Sequence, residues 1–293
     1  MSRITATQVK DMKARGEKIV MMTAYDYPTG RLVEQGGADV ILVGDTLGMV
    51  VLGYDSTLPV TMDVMVHHTK AVMRGTEHAL VVGDLPFMSY QTGWQDAMRN
   101  AARFMQEAGT GAVKLEGGVR SAETVRKLVE AGIPVMGHIG LTPQSVHQLG
   151  GFKAQGKTPA AAVQLMHDAQ ALEQAGAFAI VLETIPAPLA ELLTQRLSVP
   201  TIGIGAGVGC DGQVQVFHDM LGMFDAFMPR HAGHYAEVGA VIRDAVKQYA
   251  ADVRSGAFPT DKQSVRMDPA VLAELRLDDA SKIGRRHALG LDA

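Results

Sequence analysis

Eight short apolar runs recur along the chain, and none of them alternates with polar residues as a half-exposed strand would. They are 18–26 (KIVMMTAYD), 38–45 (ADVILVGD), 79–86 (ALVVGDLP), 111–118 (GAVKLEGG), 133–141 (IPVMGHIGL), 177–185 (AFAIVLETI), 199–207 (VPTIGIGAG) and the weaker 225–229 (DAFMP). Near-continuous apolar strands belong to sheets covered on both faces. This constrains the fold more than any other feature, because every strand then needs partners on two sides.

Helical patterns between the runs supply the outer cover. Residues 96–109 carry an apolar stripe at helical spacing and end on Gly109, suited to a left-handed cap. Residues 121–132 open on Ser121, a candidate N-cap, with Glu123 in the first turn. Residues 158–176 open on Thr158 as cap with Pro159 at the first helical position. Segments 187–197 and 211–222 read as further helices. The dipeptide Ala-Gly at 108–109, 131–132 and 175–176 stops a helix ahead of the next strand.

Eight strands alternating with helices over about 230 residues predict an α/β fold, a (β/α)8 TIM barrel. A doubly wound sheet is the competing topology. It would place its ligand loop after the first strand, whereas the polar residues here cluster after strands two to six. We expect residues 1–260 to form one catalytic barrel domain and 261–293 a polar C-terminal tail with a helical patch at 268–277. An N-terminal helix within 2–17 would cover the barrel bottom. The glycine-bearing connection 142–157 is long for a loop without a function.

Composition excludes several classes. The net charge of −4 gives no basic face for nucleic acid. One cysteine, Cys210, allows no disulfide within the chain, as expected of a cytoplasmic protein. The charged N-terminal segment lacks the apolar core of a secretory signal, and no run approaches the roughly 20 apolar residues of a membrane helix.

Strand C-termini face the active site of a barrel. Asp26, Asp45, Asp84, Glu116, His138 and Glu183 all stand at or near such ends. A closing ring of salt bridges is the plain structural explanation, and for Asp26 a helix cap explains as much as chemistry does. Residues two apart share a face of a strand, so Lys114 and Glu116 point the same way. Asp45, Asp84 and Glu116 lie on neighbouring strands about 4.8 Å apart. Three such carboxylates need a cation, and oxygen ligands suit Mg²⁺ better than zinc. Glu183, on strand six, is placed to act as a general base, with Lys114 and His138 holding a substrate carboxylate or developing oxyanion. Spacing alone leads to metal-assisted enolate chemistry on an oxo acid. The run GIGAGVG (203–209) does not match G-x-G-x-x-G in any register. It is either a phosphate-binding loop or a tight turn packed closely.

Several segments together resemble the ketopantoate hydroxymethyltransferase family: TAYDY (23–27), LVGDTLGMV (42–50), DSTLPVT (55–61), DLPFMSY (84–90), VKLEGG (113–118), GHIGLTPQSV (137–146), GGFKAQGK (150–157) and GIGAGVGCDGQV (203–214). The similarity is colinear over roughly residues 3–260. It implies a barrel of the phosphoenolpyruvate-mutase type and Mg²⁺ held by Asp45, Asp84 and Glu116. It implies contacts to the oxo acid from Asp45, Thr46, Asp84, Lys114 and His138, and Glu183 as proton acceptor. The implied reaction moves a hydroxymethyl group from 5,10-methylenetetrahydrofolate to 3-methyl-2-oxobutanoate, giving 2-dehydropantoate on the route to pantothenate and coenzyme A, through a metal-stabilised enolate. The implied assembly is a homo-oligomer, often a decamer. The chain departs from the family at Thr46, where serine is usual, and at Arg230 and His231, where Pro-Lys-Phe is usual. The competing functions are a Mg²⁺-dependent carbon–carbon lyase or aldolase on a related 2-oxo acid, and a barrel kept as a scaffold.

Overall fold

The computed structural model describes residues 2–223 and 229–276. Eight parallel strands close into a barrel in simple sequential order. They are β1 (Ile19–Thr23), β2 (Val40–Val43), β3 (Leu80–Asp84), β4 (Ala112–Lys114), β5 (Val135–Gly140), β6 (Ala179–Glu183), β7 (Thr201–Ile204) and β8 (Gly212–Gln215). Closure is made by β1 against β8, with Ile19 beside Gly212 and Met22 beside Gln215. The expected (β/α)8 barrel is the observed fold.

Helices fill the crossovers: α1 (Ala6–Ala14), α2 (Tyr27–Gln35), α3 (Leu47–Val50), α4 (Met62–Gly75), α5 (Trp94–Arg103), α6 (Ala122–Glu130), α7 (Val146–Leu149), α8 (Pro159–Gln174), α9 (Ala187–Arg196), α10 (Phe217–Met220) and α11 (Val238–Ser255). Their starts follow local chemistry. Thr158 accepts a hydrogen bond from the Ala161 amide, and Pro159 follows it. Asp26 and Thr29 form a reciprocal capping box at α2, which makes Asp26 a cap and takes it out of the site. After α5 a π-helical turn, Phe104–Ala108, ends on Gly109 in the left-handed conformation, as expected. Ser121 does not cap α6 through its side chain. Its hydroxyl donates instead to the Glu116 carbonyl at 2.9 Å.

Side chains alternate across the barrel wall. Outward residues such as Ile41, Val81, Val113 and Ile180 join the core under the helices. Inward residues such as Val40, Val82, Ala112, Met136 and Val181 fill the lumen. The N-terminal helix closes the bottom as expected, since Val9 and Met12 of α1 belong to the lumen core. Burying these two side chains contributes about 1.5–3 kcal/mol each.

The last strand differs from expectation. The segment 211–222 does not form one helix; it supplies β8 and then the single turn α10. The reason is visible in Gly-Gln-Val-Gln: Val214 is buried while Gln213 is exposed, a period of two. The run expected as strand eight, 225–229, therefore does not close the barrel, and its residues 225–228 lie outside the described residues.

By contact the chain divides into two compact units, Met1–Gly239 and Ala240–Ala293. The first contains the whole barrel. The second holds most of α11, with Val241, Ile242, Val246, Tyr249 and Val253 exposed along it, and a helical segment at 269–276. No helix among the described residues is long and apolar enough to cross a membrane.

Candidate active site

The barrel strands carry their charges one pleat above the apolar lumen. Along β3 the inward residues run Leu80, Val82, Asp84, and along β6 they run Ala179, Val181, Glu183. Lys114 sits above Ala112, and His138 above Met136. Asp45, Asp84, Lys114, Glu116 and His138 are each at most 4% exposed. Together with Thr46 and Glu183 they line a cavity of ≈ 50 Å³ at the barrel mouth. At about 10–15 Å³ for each water centre, that is room for a few waters or a small acid.

Pairing makes this burial tolerable. Asp84 stands beside Lys114 in the sheet register, and the Lys114 ammonium donates to both Asp84 oxygens at 2.8 and 2.9 Å. The Asp45 amide donates to Asp84 Oδ2 at 3.3 Å. His138 lies between two carboxylates, with Nδ1 3.5 Å from Glu116 Oε1 and Nε2 3.2 Å from Glu183 Oε2. Neither contact is aligned as a hydrogen bond, so the imidazole is held by charge. Glu183 is thus linked through His138 to Glu116 rather than standing apart from the cluster.

The protonation states follow from burial and neighbours. Burial, with Asp84 and Glu116 close by, pushes the Asp45 carboxyl well above the usual carboxylate range. Asp84 is raised as well, burial outweighing the Lys114 ammonium. Burial alone would lower Lys114, but Asp84, Glu116 and Asp45 override it and hold the ammonium above its ordinary value. Burial and Lys114 would likewise lower His138, yet Glu116 and Glu183 push it up to about 9.

Two residues that sequence patterns did not single out complete the mouth. Gln144, in the Pro143–Ser145 turn after β5, donates from Nε2 to Asp45 Oδ2 and to the Leu85 carbonyl, both at 2.9 Å. Its amide donates to Glu116 Oε2 at 3.1 Å. The Tyr90 hydroxyl accepts from the Glu116 amide at 3.1 Å and donates to Gln144 Oε1 at 2.8 Å. Neither residue is ionisable at neutral pH, and neither sits on a periodic element. The signals that could have found them are the unusual length of the Gln144 loop and the family-like segments 137–146 and 84–90 in which Gln144 and Tyr90 lie.

Backbone constraints hold β5 and β6 together here. Gly140 has φ +96°, and a Cβ on it would meet the Glu183 carbonyl at 2.2 Å. Thr184, next to Glu183, has φ +48°, uncommon for a β-branched residue. In the GIGAGVG run, a Cβ on Gly207 would lie 2.4 Å from the Ala187 Cβ at the start of α9. Close packing therefore accounts for that glycine.

Among the described residues, no three Asp, Glu, His or Cys side chains form a ready-made metal cage. The donor set nevertheless fits a hydrated divalent cation. Formally, four carboxyl groups (Asp45, Asp84, Glu116 and the half-buried Glu183) face two cations (Lys114, His138), an excess of two acidic groups. Mg²⁺ is commonly held by one or two carboxylates with waters and substrate in the remaining positions, so a closed cage is not needed.

The fold is a closed (β/α)8 barrel with its charges at the mouth, and solved barrels share it. The likeness extends over nearly the whole chain to phosphoenolpyruvate phosphomutase from Streptomyces platensis (TM-score 0.60, 14% identity, 97% of this chain and 99% of that one). It extends also to 2,3-dimethylmalate lyase (TM-score 0.57, 18% identity, 97% and 99%). At such identities the likeness concerns the fold alone. Sequence narrows the class: the family model for ketopantoate hydroxymethyltransferase matches residues 3–261. Proteins named 3-methyl-2-oxobutanoate hydroxymethyltransferase from Dehalococcoides mccartyi and Chloroflexus aurantiacus are each 59% identical. The first match covers 94% of this chain and 98% of the relative, the second 92% and 96%. The chain belongs to the ketopantoate hydroxymethyltransferase family, and it is a transferase enzyme.

Proposed function

We propose that this enzyme transfers a hydroxymethyl group from 5,10-methylenetetrahydrofolate to 3-methyl-2-oxobutanoate, giving 2-dehydropantoate, with Mg²⁺ bound at the barrel mouth. The observation that carries this is the ring of four carboxyl groups, Asp45, Asp84, Glu116 and the half-buried Glu183, around Lys114 and His138. Its small cavity suits a short oxo acid, and the names of relatives 56–59% identical support the reaction.

Asp45 and Asp84 would hold the ion, with Glu116 beside them. When bound, Mg²⁺ supplies charge stabilisation at the substrate's 2-oxo group. The remaining work falls to the chain. Lys114 and the protonated His138 offer positive charge to the substrate carboxylate and the oxygen on which charge develops. Thr46, at the mouth rim, would contact the same acid. Glu183 would take the proton from C3, the carbon that then bonds to the donor's one-carbon unit. His138, 3.2 Å from Glu183 Oε2, holds that carboxylate toward the cavity. A homo-oligomer in the cytoplasm, as the family implies, belongs to the same proposal. The lyase alternative has nothing in its favour beyond the shared fold.

The test is turnover of 3-methyl-2-oxobutanoate with 5,10-methylenetetrahydrofolate and Mg²⁺. The expected result is one 2-dehydropantoate formed per tetrahydrofolate released. Activity confined to a different 2-oxo acid contradicts the proposal.

A further inference from the structure

An amide side chain has a donor end and an acceptor end of the same shape, so its orientation must come from its partners. At Gln144 the partners over-determine it. The Glu116 main-chain N–H can only donate, and it donates to the Tyr90 hydroxyl. The single Tyr90 proton then goes to Gln144 Oε1. At the other end the Leu85 carbonyl can only accept, so it must face the Gln144 nitrogen. The second amide proton therefore points at Asp45 Oδ2. The polarity runs one way, from the Glu116 amide through Tyr90 and Gln144 to Asp45.

The same residue also reaches Glu116 from its main chain, donating to Oε2. Gln144 thus takes up one oxygen of each of two carboxylates that start from different strands. It is buried, and its loop follows β5, the strand that carries His138.

We propose that Gln144 is a positioning residue for the cation site: a donor bracket, oriented by Tyr90 and the Leu85 carbonyl, that takes up one oxygen of Asp45 and one of Glu116, leaving the other Asp45 oxygen for the ion and Glu116 Oε1 facing His138. This rests on the reading of the mouth as a Mg²⁺ site. Carboxylates held in place lose less freedom when the ion binds, which is why outer partners of metal ligands change affinity about 10–100-fold.

The test is a calorimetric Mg²⁺ titration of the metal-stripped full-length protein, with melting temperatures recorded beside it. Gln144→Met keeps the length and the main-chain N–H to Glu116 but removes both side-chain amide protons, and with them the hold on Asp45. We expect its Kd for Mg²⁺ to rise about 10–100-fold, with the melting temperature of the stripped protein within a few degrees of the parent. Saturating Mg²⁺ should restore kcat, which a misfolded mouth would not allow. Tyr90→Phe leaves Gln144 Oε1 with the Gln91 amide as its donor, at 3.1 Å, and so loosens the bracket; it should weaken Mg²⁺ about threefold. The double variant should bind as weakly as Gln144→Met and no more weakly, because both changes act on one chain of hydrogen bonds. Parental affinity in Gln144→Met, or fully multiplying effects in the double variant, overturns the proposal. If Gln144→Met does not fold, parental affinity in Tyr90→Phe overturns it. A parent that binds no Mg²⁺ overturns the metal reading and this inference with it, whereas a parent that binds while both variants match it overturns only the inference.

Discussion

The two ends of the barrel lumen are built from the same strands and are buried alike except at Glu183, yet their chemistry is opposite. Leu80, Val82, Ala112, Met136 and Val181 form a dry apolar filling, closed below by Val9 and Met12. One pleat higher, Asp84, Lys114, His138 and Glu183 stand on the same inward-facing rows. Two residues of chain, about 6.6 Å of rise, separate them. Stability and chemistry are thus stacked along one axis. The lower layer is favourable by burial alone, while the upper layer is tolerable only because its charges are paired.

Substitutions at the two levels should therefore fail in different ways. The largest effect is expected at the top, where Glu183→Gln removes the proposed base. Its rate should fall about 10²–10⁴-fold, the usual contribution of general base catalysis. Its Mg²⁺ affinity and melting temperature should change little, and steady-state kinetics beside a Mg²⁺ titration checks both. A rate within threefold of the parent removes Glu183 from that role.

A matched pair of substitutions on β3 comes next. Asp84→Ala strands the Lys114 ammonium without its bidentate partner. Such a change costs about 3–5 kcal/mol and should abolish Mg²⁺ binding. Leu80→Ala, two pleats below, should cost about 2–5 kcal/mol through the cavity it leaves, while Mg²⁺ affinity stays at the parental value. Urea denaturation and Mg²⁺ titration of both variants read the contrast directly. Equal loss of Mg²⁺ affinity in the two would erase the division between the layers.

The smallest effect lies away from the mouth, at Asp219 in α10. Burial pushes its carboxyl up to about 6. The folded state therefore holds this proton more tightly than the unfolded state, whose value is near 3.9. The folded protein loses stability as pH rises from about 4 to 6, because the unfolded chain releases the proton first. Asp219→Asn should remove that loss, giving a variant about 1–2 kcal/mol more stable at pH 7 after allowance for partial solvent screening. The advantage should vanish toward pH 4, as followed by chemical denaturation across that range.

The contrast between layers also explains what the sequence made legible. Near-continuous apolar runs announced strands covered twice, and the ionisable residues at the ends of runs two to six announced the mouth. Asp45, Asp84 and Glu116 could be grouped because their strands are neighbours in a barrel, whereas the Asp84–Lys114 pair follows from a register that the sequence does not show. The closing strand was less legible: β8 is four residues long, with exposed glutamine alternating with valine, and its short pattern mimics a helix beginning. Gln144 and Tyr90 lie in family-like segments, but their role was illegible for a different reason. Uncharged polar residues in loops carry no periodicity, and their importance lies in hydrogen bonds to Asp45 and Glu116 from chain segments far apart in sequence.

The central claim is that the charged layer removes a proton from an oxo acid with the help of a divalent ion. Exchange of the C3 proton of 3-methyl-2-oxobutanoate in D₂O, followed by proton NMR without any folate, isolates that step. With Mg²⁺ the parent enzyme should exchange the proton, and with the metal chelated the exchange should stop. Exchange that proceeds equally well after chelation, or no exchange with Mg²⁺ present, would contradict the account.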